Sequence, residues 1–137
     1  MAGTIISLWT ARDFDFSTLG VGDGVTFDVG PVTGVLPFRD ALFLLRVHDV
    51  TITGSATLDF SVHCAAPSRD DPAGTFVADQ AALSLSVAGS SGGELLRGLV
   101  PASSFGAHIQ VRGTASQPVG STETIHARIS ATLVGRR

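Results

Sequence analysis

The residues best suited to chemistry in this sequence are histidines and aspartates near its centre. His48 and Asp49 fall in one predicted strand, and Asp59 and His63 fall in the next. If the two strands form a hairpin, the histidines approach each other on its solvent face, and imidazole and carboxylate groups are ligands of Zn²⁺. A third close His or Cys ligand is missing, because strand alternation turns Cys64 to the opposite face from His63. We therefore favour a solvated sheet face over a metal site.

Three aspartates in and near a polar loop are a second candidate for metal binding. Asp70 and Asp71 lie in residues 65–74, AAPSRDDPAG, and Asp79 follows them. Carboxylates bind Ca²⁺, but a loop of the EF-hand type requires acidic residues at alternate positions and a glycine at its turn. These aspartates lack that spacing. We expect a solvated turn here, and no metal or cofactor in the protein.

Two further histidines lie on the outward parity of later predicted strands. His108 precedes Arg112, and His126 precedes Arg128, in strands that are possible neighbours. Such a cationic set could bind an anionic ligand. A more common role for these residue types is contact with water or with a neighbouring subunit.

Catalysis and sugar binding both lack the residues that they usually need. Nucleophilic catalysis requires Ser or Cys beside a base and a third orienting group, and no G-x-S-x-G motif lies at a predicted strand-to-helix turn. We expect no enzyme activity. A sugar-binding sandwich would present exposed Trp or Tyr rings, whereas this chain has one Trp and no Tyr. A ligand-binding module for carbohydrate remains the alternative function.

The composition is that of a charge-poor chain of single-domain size. Its 137 residues fit one domain, the charged fraction is 15% and the mean hydropathy is +0.35. The nine basic residues are all arginine and are scattered, and the net charge is −3, so no direct nucleic-acid partner is expected. No apolar run reaches the roughly 18–20 residues of a membrane span, and no signal peptide is recognised. The single Cys64 excludes an internal disulfide.

Residues 41–64 are the segment around which the predicted fold is organised. They form the longest apolar-periodic stretch and are predicted to fold back as a β-hairpin at residues 53–56. In the outgoing strand the apolar residues change parity once, at His48 and Asp49. A β-bulge at that point would return all of them to the core face. The residues concerned are Phe43, Leu45, Val47, Val50 and Ile52.

Short strands separated by glycine- and proline-rich turns are predicted along the rest of the chain. Because no segment of ten or more residues has a helical period, seven to nine antiparallel strands must bury their apolar faces against each other. We predict an all-β fold, an antiparallel two-sheet β-sandwich that is jelly-roll-like, and an immunoglobulin-like sandwich also fits. Residues 94–100 suit either a helical turn or an edge strand, and residues 113–122 are predicted to be a loop.

The first residues are set apart from the sandwich by glycines between positions 20 and 24. We assign residues 1–24 to an N-terminal arm or strand segment and residues 25–137 to the β-sandwich domain. Large apolar side chains in the first segment would be a liability unless a neighbouring subunit or a shell covers them. The predicted interface residues are Ile5, Ile6, Leu8 and Trp9. The alternative is that residues 4–10 form an edge strand of the same sandwich.

The order of segments over residues 25–137 resembles that of a known family. A strand ending VTFDVGP is followed by LFLLRVHDVTITGSATLDFSVHCAAPSRDDPAGTFV and a short LSLSV strand. FGAHIQVRG and the terminal IHARISATLVGRR complete the pattern. This arrangement resembles the small cement, or decoration, proteins of tailed-bacteriophage heads.

The resemblance implies a jelly-roll-type sandwich that assembles on the outside of a capsid and reinforces the shell. It implies the major capsid protein as partner, self-association as a homotrimer, and a location on the virion surface after synthesis in the host cytoplasm. The resemblance assigns no catalytic residues to this sequence. The first 24 residues fit the pattern least, so the resemblance does not assign the way in which the protein attaches to the capsid.

Overall fold

The computed structural model describes residues 4–16, 24–34, 38–65, 83–89, 91–100, 108–116 and 124–136. Within these ranges every regular element is a β-strand. The strands are β1 (Thr4–Asp15), β2 (Gly24–Gly34), β3 (Asp40–Ile52), β4 (Thr57–Ala65), β5 (Leu83–Val87), β6 (Leu95–Val100), β7 (His108–Ser116) and β8 (Ile125–Arg136).

The eight strands form two antiparallel sheets of four. The first sheet has the order β1-β8-β3-β6, and the second has the order β2-β7-β4-β5. The chain pairs β1 with β8, β2 with β7, β3 with β6 and β4 with β5, as if one long hairpin had been rolled up. This is the strand order of a jelly roll. The predicted all-β, antiparallel two-sheet sandwich is therefore confirmed, and the immunoglobulin-like alternative is not.

The predicted hairpin over residues 41–64 is wrong in its pairing. The chain does turn at residues 53–56, where the Ala56 amide donates to the Thr53 carbonyl and Gly54 has a φ of 57°. However, β3 pairs with β6 and β8 in the first sheet, and β4 pairs with β5 and β7 in the second. The turn thus crosses the roughly 10 Å between two packed sheets, which four extended residues can span.

The predicted bulge is confirmed at the predicted place. Along β8, Val47 lies opposite Ile129 and Asp49 lies opposite Arg128, so His48 is the extra residue. Beyond it, apolar residues of β3 lie opposite buried residues of β8 again. Phe43, Leu45 and Val47 are fully buried, and Val50 and Ile52 pack against the core.

The core lies between the sheets and includes an aromatic cluster that joins them. Trp9 and Phe14 from β1 contact the ring of Phe60 on β4, with ring centroids 6.1 and 5.2 Å apart. The last strand contributes five buried residues at alternate positions, as its sequence predicts. These are Ile125, Ala127, Ile129, Ala131 and Leu133.

The N-terminal segment is an edge strand of its own sandwich. Thr4–Asp15 pairs with β8, with irregularities between Ser7 and Arg12, where Ala11 has a positive φ of 45°. The structure therefore shows the alternative given above for residues 4–10. The irregular stretch explains why the sequence pattern breaks into two extended pieces there.

Other segments differ from their predictions in extent. Residues 94–100 suited either a helical turn or an edge strand. The structure shows the strand, since Leu95–Val100 forms β6. Of the predicted loop at residues 113–122, the first four residues belong to β7, and the rest lie outside the described residues.

A glycine on β8 is required by close packing, which gives a testable prediction. A Cβ at Gly135 would lie 2.6 Å from the ring of Phe38, closer than real contacts allow. We expect Gly135→Ala to lower the free energy of unfolding by about 1–3 kcal/mol, because the ring must move. Urea denaturation would measure the change.

Gly92→Ala is the matched control. A Cβ there would meet only Val50 Cγ1, at 3.7 Å, an ordinary contact. Equal denaturation midpoints for the two variants would contradict the packing described around Gly135.

Candidate functional site

The histidines and aspartates singled out in the sequence do not form one site. His48 is exposed on the first sheet, where its Nε2 lies 2.7 Å from the Ser130 hydroxyl. His63 lies on β4 in the second sheet. The prediction that they approach each other across a hairpin is therefore wrong. Within the described ranges, no three His, Cys, Asp or Glu side chains are grouped to hold a metal ion.

His63 also differs from its prediction in burial, since only 3% of its surface is exposed. Its Nε2 lies 2.9 Å from the Ser61 hydroxyl, and that hydroxyl lies 3.5 Å from the carbonyl oxygen of Arg112 on the neighbouring strand. When Ser61 donates to this carbonyl, it accepts from the imidazole. In that arrangement the imidazole is a donor, whereas an activated serine needs it as a base. The contacts favour a structural role for the pair.

The second pair of histidines is divided between the sheets. His108 lies on β7 and His126 on β8, so the expectation of neighbouring strands is wrong. Arg128 bonds to Asp13 across the β1–β8 pair, with Nε 3.2 Å from Oδ1. The side chain of His108 lies outside the described part of the chain, as do Asp70, Asp71 and Asp79.

The four predicted interface residues divide into one exposed and three packed side chains. Ile5 is 72% exposed. Ile6, Leu8 and Trp9 pack against the core, and the Trp9 indole N–H donates to the Ile129 carbonyl over 2.9 Å. An interface role for these residues stays a prediction, and Ile5 has the largest free surface to serve it.

Ile5 belongs to an apolar row that the sequence analysis missed. In register, Ile5 lies opposite Val134, Val134 opposite Leu42, and Leu42 opposite Leu99. Directly opposed residues in antiparallel strands share a face. Because Phe43, Leu133 and Val100 next to them are buried, these four side chains lie on the outer face of the first sheet. We call Ile5, Val134, Leu42 and Leu99 the outer apolar row.

The outer apolar row crosses all four strands of the first sheet and is partly open to solvent. Ile5 and Leu99 at its two ends are 72% and 54% exposed, and Leu42 and Val134 between them are half-buried. The signal was present in the sequence, because ALFLLR places apolar residues on both parities of one strand. One parity fills the core, and the other must face outward.

An ion pair lies beside this row. Arg136 Nε donates to Asp40 Oδ1 over 2.9 Å, and Nη2 contacts Oδ2. This hydrogen bond, with the attraction of the Asp40 carboxylate, raises the pKa of Arg136 above its ordinary value. Asp40 is only 5% exposed, so the pair neutralises a buried carboxylate beside Leu42 and Val134, the middle of the row.

A pocket of about 330 Å³ at the β3–β4 turn is the other candidate site. Its polar lining includes Asp59 and Ser86, and its apolar lining includes Ile52, Leu58 and Val87. The lining contains no aromatic side chain on which a sugar ring could stack. The pocket therefore does not strengthen the carbohydrate-binding alternative.

The described residues contain no helix long and apolar enough to cross a membrane. Together the strand order and the exposed sheet face define the chain as a jelly-roll sandwich with an apolar row on the outer face of one sheet.

Comparison with known proteins adds a structural likeness. No protein-family model and no curated protein sequence matches the chain. Among solved structures, it is similar to a chain in the structure of infectious bursal disease virus, Gx strain, with a TM-score of 0.56 and 16% sequence identity. The match covers 97% of this chain and 31% of that chain, so this chain spans about a third of its length.

A chain in the structure of infectious bursal disease virus, Gt strain, is matched with a TM-score of 0.48, 15% identity, and coverage of 96% of this chain and 31% of that chain. The likeness to the Gx-strain chain is one of fold, since one fold can serve many functions.

Proposed function

We propose that this chain is a non-enzymatic structural protein of a virus particle that binds the outside of a phage-like capsid and reinforces its shell. Its partners are the major capsid protein and further copies of itself, most simply as a homotrimer. The jelly-roll strand order, the fold likeness to a chain of a virus structure and the sequence resemblance to cement proteins support this function.

The observation that carries the proposal is the outer apolar row. A cement protein must contact its shell over a surface that is stable on its own and apolar enough to associate. The row fits this requirement because it lies on a four-stranded sheet whose inner face is already filled by the core. Exposed apolar surface of this kind is typical of protein interaction sites.

Charge introduced at the two ends of the row should weaken shell binding. We expect Ile5→Glu/Leu99→Glu to bind empty shells of the virus that encodes the chain at least about tenfold more weakly than the wild type, a loss of roughly 1.4 kcal/mol. Both side chains are exposed, so folding should change little. Co-sedimentation with purified shells measures the affinity.

Thr57→Glu/Ser84→Glu is the matched control, because it adds the same charge to exposed positions on the second sheet. The control should bind as the wild type does. Failure of the wild type to bind shells would contradict the proposed function, and equal loss in both double variants would contradict the assignment of the contact face.

A further inference from the structure

The outer face of β3 and β6 carries leucine and arginine in alternation. Beyond the Leu42–Leu99 pair of the outer apolar row, Leu44 lies opposite Arg97, and Arg46 lies opposite Leu95. Leu95 is 42% exposed, and both arginines are exposed. We call this surface the leucine–arginine patch, and its members are Leu42, Leu44, Leu95, Leu99, Arg46 and Arg97.

The two arginines of the patch differ from their neighbours on the same face. Arg128 and Arg136 are each bonded to a carboxylate, of Asp13 and Asp40 respectively. Among the described residues neither Arg46 nor Arg97 has an ion-pair or hydrogen-bond partner. The register makes Arg46 and Arg97 diagonal neighbours, about 7–8 Å apart at the backbone. Two unpaired cations at this distance favour the approach of an anionic group.

We propose that the leucine–arginine patch binds a partner protein whose surface carries carboxylates next to apolar side chains. Each guanidinium group would donate two parallel hydrogen bonds to a carboxylate of the partner, and the leucines would cover the partner's apolar groups. This inference rests on the proposed function for the identity of the partner, a subunit of the shell. It adds the chemistry that the partner must present.

Charge complementarity decides between this partner and other occupants. A second copy of the chain, docked through the same patch about a twofold axis, would bring like charges together, which opposes association. A phosphate backbone would pair with the arginines but would leave four leucines uncovered, and the net charge of the chain is −3. An acidic and apolar protein surface satisfies both parts of the patch.

The test uses the full chain and two probes. One probe is the purified shell, and the other is a random copolymer of glutamate and tyrosine, with polyglutamate as the purely acidic comparison. We expect Arg97→Glu and Arg46→Glu each to weaken binding to the shell and to the copolymer at least about fivefold. Arg97→Lys, which keeps the positive charge, should bind both probes more tightly than Arg97→Glu does. Arg39→Glu, at an exposed arginine outside the patch, should bind as the wild type does. Matching unfolding midpoints would show that the variants are folded.

The outcomes separate this inference from the proposed function. If the wild type binds shells and the patch variants bind them equally well, the inference is wrong and the proposed function stands. If shells are not bound but the copolymer is bound through Arg46 and Arg97, the proposed function fails and the inference stands. Equal loss in Arg39→Glu, equal binding to polyglutamate, or self-association that sedimentation shows to depend on Arg97 would each overturn the inference.

Discussion

Replacement of Phe60 by alanine is expected to lower the free energy of unfolding by about 3–5 kcal/mol. Phe60 is fully buried on β4 and its ring contacts those of Trp9 and Phe14, which belong to the opposite sheet. The substitution therefore removes apolar contacts and leaves a cavity at the point where the two sheets are joined by aromatic packing. Since small domains have total stabilities of about 5–15 kcal/mol, the loss should be a large fraction of the whole.

Asp59→Ala is the control on the neighbouring residue. Asp59 lies on the outer side of the same strand, is only partly buried, and should change stability by less than about 0.5 kcal/mol. Urea denaturation followed by Trp9 fluorescence measures both variants. Equal shifts of the midpoint would contradict the assignment of Phe60 to the core and Asp59 to the outer face.

A truncated protein that begins at Thr18 is expected to lose cooperative folding. The deletion removes β1, which pairs with β8 from Thr4 to Asp15. It also removes Phe14, which is 4% exposed, and the Trp9 ring that packs on Phe60. Loss of one large aromatic side chain from a core costs roughly 3–5 kcal/mol, so the loss of both, together with the β1–β8 backbone pairs, approaches the typical stability of a domain.

Thermal unfolding by circular dichroism measures this prediction, with a truncation that begins at Thr4 as the control. The control keeps all the backbone pairs of β1 and should unfold near the wild-type temperature. If the protein beginning at Thr18 unfolds cooperatively at that same temperature, β1 is a dispensable arm, and the N-terminal segment serves assembly alone.

The inward-facing residues were predictable from the sequence because side-chain alternation is a local property of a strand. The five alternating residues of β8 from Ile125 to Leu133, and the change of parity at His48, both follow from which positions are apolar. Strand partners do not follow from alternation. Both β3 and β4 bury one face whether they pair with each other or face each other across a core, so the short turn between them was consistent with a hairpin.

The candidate site was only partly predictable for a related reason. Ile5 was one of four predicted interface residues, with Ile6, Leu8 and Trp9, but the row to which it belongs joins residues from four strands that are distant in sequence. Its existence depends on the order β1-β8-β3-β6, which the pattern of apolar residues does not encode. The burial of His63, on a parity that predicts exposure, likewise depends on what covers that face of the second sheet. Tertiary context decided both.

Electron cryo-microscopy of shells incubated with the full chain tests the central proposal most directly. We predict added density on the outer surface of the shell, with the first sheet turned toward the capsid so that Ile5, Leu42 and Leu99 lie in the contact. Shells without added density would contradict the proposed function. Density in which the second sheet faces the shell, with the outer apolar row open to solvent, would contradict the assigned contact surface.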